Sequence, residues 1–285
     1  MSSQQSSTAA VTNCGTAATC EVCGFYRHSE GATTATDSST SGVLESRYGN
    51  VSEVQLLLGN IKEAIRAARM AVDLADQSES KFQRIRKRTS LANSLHQAGD
   101  NSEADRVFSE AEEMEAEYYP DFPLLDSVSG FYYCEFLLDQ GKHEEVQRRG
   151  LHCLKIGEDA RDPVSIGLAH LTLAATHPSG SLEALHEANQ AIEHLRDAGA
   201  INHLPRALLA RGRMRDMDEV FRTAANSHMQ LFLADYHLLS CRRLIAAHNL
   251  AEAQQHFHHA DRIIRISQYR RRRGALEKLR AELGL

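Results

Sequence analysis

Near the N-terminus, Cys14, Cys20, Cys23 and His28 are the residues whose types best suit metal or redox chemistry. Cys20 and Cys23 form a Cys-x-x-Cys pair, a spacing that lets two thiolates grip one tetrahedral ion. The third cysteine is irregularly placed, the histidine stands alone, and few apolar residues surround them. The expected reading is an incidental tail with no bound metal; a metal-binding or redox protein built on this cluster is the alternative. A second candidate is Gln255-His256-Phe257-His258-His259. Ligands on one helix must stand three or four residues apart, and only His256 and His259 do so. Two imidazoles without a carboxylate at matching spacing make a poor site, so exposed histidines beside a buried Phe257 are expected. Arg270 to Arg273 follow Tyr269 as a run of four guanidiniums suited to an anion. The simpler reading is a solvated turn ahead of the last helix.

No catalytic constellation accompanies these residues. The chain has no Gly-x-Ser-x-Gly elbow, no His-Glu-x-x-His, and no glycine-rich nucleotide loop. Glu110, Glu112, Glu113, Glu115 and Glu117 read as an outer helix face. A non-enzyme without cofactors is expected.

The elements that would position any site are helical. Leu91 and Leu95 place an apolar stripe on one helix, Gly99-Asp100 breaks the chain, and Ala104, Phe108 and Ala111 place a stripe on the next. The left-handed conformation open to Gly99 ends the first helix, and Asn101 or Ser102 can cap the second. Such a hairpin cannot cover its own apolar faces. The pattern recurs as Gly59 with Ala64, Ala68 and Ala71, and as Ser179 with Ala184, Ala188 and Ala191. It returns as His248 with Ala253, Phe257 and Ala260, and more weakly after Gly141 (Val146, Gly150, Cys153) and Asp216 (Phe221, Ala225, His228). Anchors at 64, 104, 146, 184, 221 and 253 are separated by 40, 42, 38, 37 and 32 residues, a two-helix period that signals a solenoid.

The small-aromatic-small order at 104, 108 and 111, five residues after a glycine and repeated at 253, 257 and 260, resembles the second half of the tetratricopeptide repeat. The resemblance covers about Leu44 to Leu285. Tryptophan is absent, and most repeat-end prolines are missing. It implies an all-α, right-handed α-solenoid of about six hairpins with a C-terminal capping helix at Gly274 to Glu282. Residues 43–285 would form this domain and residues 1–42, rich in Ser and Thr, a disordered tail. Ala71-Val-Asp-Leu-Ala-Asp, Phe82-Gln-Arg, the stretch from Thr89 to Gly99 and Leu233-Ala-Asp-Tyr-His-Leu look like the C-terminal repeat arrays of bacterial STAND-class signalling ATPases. Without a Gly-x-x-x-x-Gly-Lys-Ser/Thr sequence, the chain would be a detached sensor or adaptor.

The resemblance places binding on the concave face, along the first helix of each hairpin. Carried over by position, the groove residues are Arg86, Thr89, Asn93 and His96, then Phe131 and Glu135, then Arg206, Arg213 and Arg242. That polar, net positive set implies a non-catalytic scaffold or sensor for a protein or peptide partner with acidic or C-terminal carboxylate groups, gripped by arginine. A peptide-sensing regulator of the pheromone-receptor type is the alternative of the same architecture.

Composition agrees. Hydrophobic residues make up 42% but aromatics only 6%, which suits helix-on-helix packing. A formal charge of −6 argues against a general nucleic-acid binder. Cys134, Cys153 and Cys241 are expected inside helices as free thiols, which points to a reducing cytoplasm. No apolar run is long enough for a bilayer, and no secretory signal is expected from the N-terminal residues.

Overall fold

The computed structural model describes residues 38–285, which are all-α, with thirteen helices and no strand among the described residues. Twelve of the helices pair as hairpins: α1 (Ser38–Leu57) with α2 (Ile61–Asp76), α3 (Lys81–Ala98) with α4 (Asn101–Tyr118), and α5 (Ser127–Asp139) with α6 (His143–Ala160). Then come α7 (Pro163–Ala174) with α8 (Leu182–Asp197), α9 (Leu204–Arg211) with α10 (Met214–Asn226), and α11 (Gln230–Ala246) with α12 (Leu250–Ser267). A 3-10 turn, Arg270–Arg272, leads into α13 (Arg273–Leu283). Of the tail expected over residues 1–42, residues 38–42 belong to the start of α1.

The hairpins are joined by close packing of small residues. Ala64, Ala68 and Ala71 on α2, Ala104 and Ala111 on α4, and Ala184, Ala188 and Ala191 on α8 are all buried. Phe108 fills the space these small neighbours leave. It is fully buried and stacks on Tyr133, with ring centroids 4.9 Å apart, and lies 5.5 Å from Phe136. The repeat register fails once. The buried stripe of α10 is Met217, Val220 and Ala224, whereas Phe221, the expected anchor, is 43% exposed. The cause is local: Pro205 starts α9 and Gly212, at φ +65°, ends it after eight residues. With α9 this short, the register of the following helix shifts by one from the stripe expected at Phe221 and Ala225.

The array also meets itself. The first helices touch in series, α1 to α3, α5, α7, α9 and α11, and α11 touches α1 in turn. Leu56, Ile61 and Ala64 of the first hairpin share one apolar cluster with Leu231, Phe257 and Ile264 of the last hairpin and Leu276 of α13. Two glycines make this approach possible. A Cβ on Gly59 would stand 2.9 Å from the Gln230 Cβ, and one on Gly99 would stand 2.7 Å from the Arg270 Cβ. Both also hold the left-handed backbone that ends a helix, at φ +79° and +75°.

The six first helices therefore surround an interior, and those in the middle of the series, α3, α5 and α7, are the most deeply buried. In α3 every residue from Leu91 to Gln97 is buried, while α4 buries only Ala104, Val107, Phe108 and Ala111. No described helix is long and apolar enough to cross a membrane.

Candidate functional site

Charge accumulates where the first helices face one another. Glu135 and Asp139 stand one turn apart on α5, and Arg271 reaches them from the 3-10 turn. Its Nε donates to Asp139 Oδ2 at 2.6 Å, and its Nη1 donates to Glu135 Oε1 at 3.3 Å and to Gln97 Oε1 at 3.4 Å. The Arg271 side chain is only 7% exposed. Arg206 of α9 comes from the other side, its Nε 3.9 Å from Glu135 Oε2 and its guanidinium over the rings of Phe131 and Phe232. Arg272 donates to Asp235 of α11 at 2.7 Å, and the Tyr269 hydroxyl donates to the same carboxylate at 3.3 Å.

Burial alone would raise the Glu135 carboxyl, but Arg271 and Arg206 override it and hold the group down at about 2. Asp139 is likewise pulled well below the usual carboxylate range: burial opposes the shift, and the His96 hydrogen bond and Arg271 impose it. His96 is lowered as well, by burial first and by the positive charge of Arg271, against the pull of its hydrogen bond to Asp139. A neutral His96 donates from Nε2 to Asp139 at 2.8 Å and leaves its buried Nδ1 without a hydrogen-bond partner. His203, 4% exposed between Phe131 and Tyr132, is lowered to about 3 by burial and Arg206, and its Nδ1 also lacks a partner.

Of the expected groove residues, the structure draws His96, Phe131, Glu135 and Arg206 into this cluster. Asn93 joins it at one remove, accepting from Gln97 Nε2 at 2.8 Å. Thr89 is buried and hydrogen-bonds Ser129 at 2.9 Å, and Arg86 is half-buried on the same helix. Arg213 and Arg242 are exposed and form no ion pair among the described residues. The guanidinium–carboxylate chemistry expected of a partner is thus supplied inside the chain. Extending the predicted stripe by one helical turn, from Asn93 to Gln97 and from Glu135 to Asp139, would have found two further members. Asp235, Arg271 and Arg272 carried no such signal. The arginine run is not the solvated turn expected of it, because Arg271 is buried and Arg272 half-buried; only Arg270 and Arg273 are exposed.

The other candidates separate clearly. Cys14, Cys20, Cys23 and His28 lie outside the described residues. His258 and His259 are exposed, while His256 is half-buried with its Nδ1 2.9 Å from that of His237, a neighbour on α11. His237 is lowered to about 4 by burial and then by the charges of His256 and His259. No group of three His, Cys, Asp or Glu side chains among the described residues is placed to hold a metal ion. Cys134, Cys153 and Cys241 are buried free thiols, and burial pushes the first two far up, Cys153 to about 12. The basic stretch of α3 is largely neutralised: Lys87 is paired with Glu45 at 3.5 Å and Arg88 with Asp76 and Glu110, each at 2.7 Å. Of the acidic run on α4, Glu112 binds the buried Arg149 rather than lying on an outer face.

Comparison of the chain with protein-family models and with curated proteins gives no match.

Proposed function

We propose that the chain is a non-catalytic interaction scaffold or sensor, a right-handed tetratricopeptide-like stack whose inner helix faces hold a segment of a protein or peptide partner. One observation carries this reading. His96, Glu135 and Arg206, on three different first helices, converge with Phe131 on a polar interior that grips another part of the chain through guanidinium–carboxylate contacts. Such contacts recognise peptides by geometry as well as charge. The buried groups there are ion-paired or held neutral, and no nucleophile–base–orienter set is assembled among them, which favours recognition over catalysis. A partner carboxylate seeking Arg206 would have to compete with Glu135 for it. An adaptor working in the cytoplasm fits this role.

The test is site-specific photo-crosslinking in the native host. A benzophenone side chain is placed in turn at Arg86 and Arg206, on the inner face, and at Leu182, which is 82% exposed on an outer helix. A discrete adduct from the inner positions and none from Leu182 is the expected result. Adducts from Leu182 alone, or none from any position, refute the reading.

A further inference from the structure

We infer that Arg271 is a built-in stand-in for an arginine of the partner, so that the seat formed by Gln97, Glu135 and Asp139 recognises an arginine-rich segment of another protein. The inference rests on the scaffold reading and adds to it the chemistry of the partner and the means of its exclusion.

The seat is made for a guanidinium and incompletely filled by the one it holds. Only the Nε contact to Asp139, at 2.6 Å, is short; Nη1 is shared between Glu135 and Gln97 at 3.3 and 3.4 Å. Glu135 Oε2 is buried with no hydrogen-bond donor, since Arg206 stops at 3.9 Å. A carboxylate can accept two parallel N–H bonds from one guanidinium, and that capacity is unused here. The buried His203, whose Nδ1 has no partner, is a second unmet polar group electrostatically coupled to Glu135.

The occupant is also placed to leave. The hydrogen bonds and ion pairs that hold Arg271 in the seat are all made by its guanidinium, so a change of side-chain rotamer would break them together. The backbone can stay where it is, because Tyr269, 3% exposed, anchors the turn in the apolar cluster beside Leu276 and Leu279 of α13. Arg272 lies next to Arg271 and the two like charges repel, a repulsion that the Glu135 carboxylate outweighs while Arg271 stays in the seat. Gln268 opens the turn at φ +59°, a backbone unfavourable for a residue with a Cβ. An incoming arginine-rich segment would exchange one guanidinium for another, conserve charge in the seat, and leave Arg271 in water.

The probe is a fluorescein-labelled peptide of the chain's own residues 268–273, read by fluorescence polarisation against the full chain. Arg271→Ala should bind it at least tenfold more tightly than the unmodified chain. Adding Asp139→Asn should reverse the gain, and a lysine-for-arginine peptide should bind several-fold more weakly, since ammonium cannot make the paired contact. Equal affinity for the two chains overturns the stand-in while leaving the scaffold reading in place. Absence of binding to folded Arg271→Ala also overturns it. Should Arg271→Ala fail to fold, the unmodified chain gives the answer by NMR. The Arg271 Nε–H resonance, identified by its loss in Arg271→Lys, should shift or broaden on peptide addition, and an unchanged resonance at saturation overturns the proposal.

Discussion

The outer stripes and the inner face solve different problems with different chemistry. On the outer stripes, Ala104, Phe108 and Ala111 meet residues close by in sequence, and the contact is dry and shape-driven. On the inner face, Arg271 meets Asp139 and Glu135 across 132 and 136 positions of chain, and Gln97 across 174. There the contact is charged and directional. Stacking neighbours needs only apolar area and small side chains. Closing the array on itself also needs a device that fixes which distant elements meet, and the ion pairs serve that need.

The contrast can be broken by mutation, starting where the effect is largest. Phe108→Ala removes a fully buried ring and should cost about 3–5 kcal/mol in urea unfolding. The loss should be the same at pH 7 and pH 5, because no titrating group is involved. Arg271→Ala leaves the buried face of Glu135 without its nearest cation, and should cost about 1–3 kcal/mol at neutral pH. Its effect should shrink in acid. The Glu135 carboxyl titrates at about 2 when folded, below its ordinary value of 4.5, so the unfolded chain takes up the proton first. The stability this pair contributes is therefore complete above about pH 4.5 and disappears as the pH falls toward 2. Unfolding curves at steps through that window should show the two variants drawing apart from each other.

The histidines give a third and milder contrast. His237 is lowered to about 4 from 6.5, so it too contributes stability that is present above 6.5 and lost as the pH falls toward 4. His237→Gln should flatten the pH dependence of the unfolding midpoint in that window and leave the lower one unchanged. At the small end, Arg213→Ala and Arg242→Ala remove exposed charges and should change stability by less than about 0.5 kcal/mol. A larger effect from either would mean that the inner charge network extends beyond Arg206.

This division also decides what could be read from the sequence. Helical spacing and the recurring small residues were visible because each hairpin repeats the same local packing problem. In the fifth unit, where Pro205 and Gly212 clip α9, the weaker pattern points to Phe221 while the buried stripe is Met217, Val220 and Ala224. That residues of α3 and α5 share an inward face was legible for the same reason, since side chains at i and i+4 lie on one side of a helix. Which distant element fills that face was not legible. Nothing in four consecutive arginines marks the second as buried, and nothing local pairs Asp235 with residue 272. Those assignments depend on the curvature summed over six hairpins, to which each unit contributes a small, unmarked angle.

The contact of α1 with α11 changes how the molecule should come apart. An open array of repeats frays from its terminal units, each of which has only one neighbour, so it unzips in stages. Here the first and last units lean on each other, and neither offers a loose edge from which peeling can start. Denaturation of the described region should then be a single concerted event. Trimming one terminal hairpin should expose two raw faces at once, a heavier penalty than the loss of any hairpin from an open array of the same length.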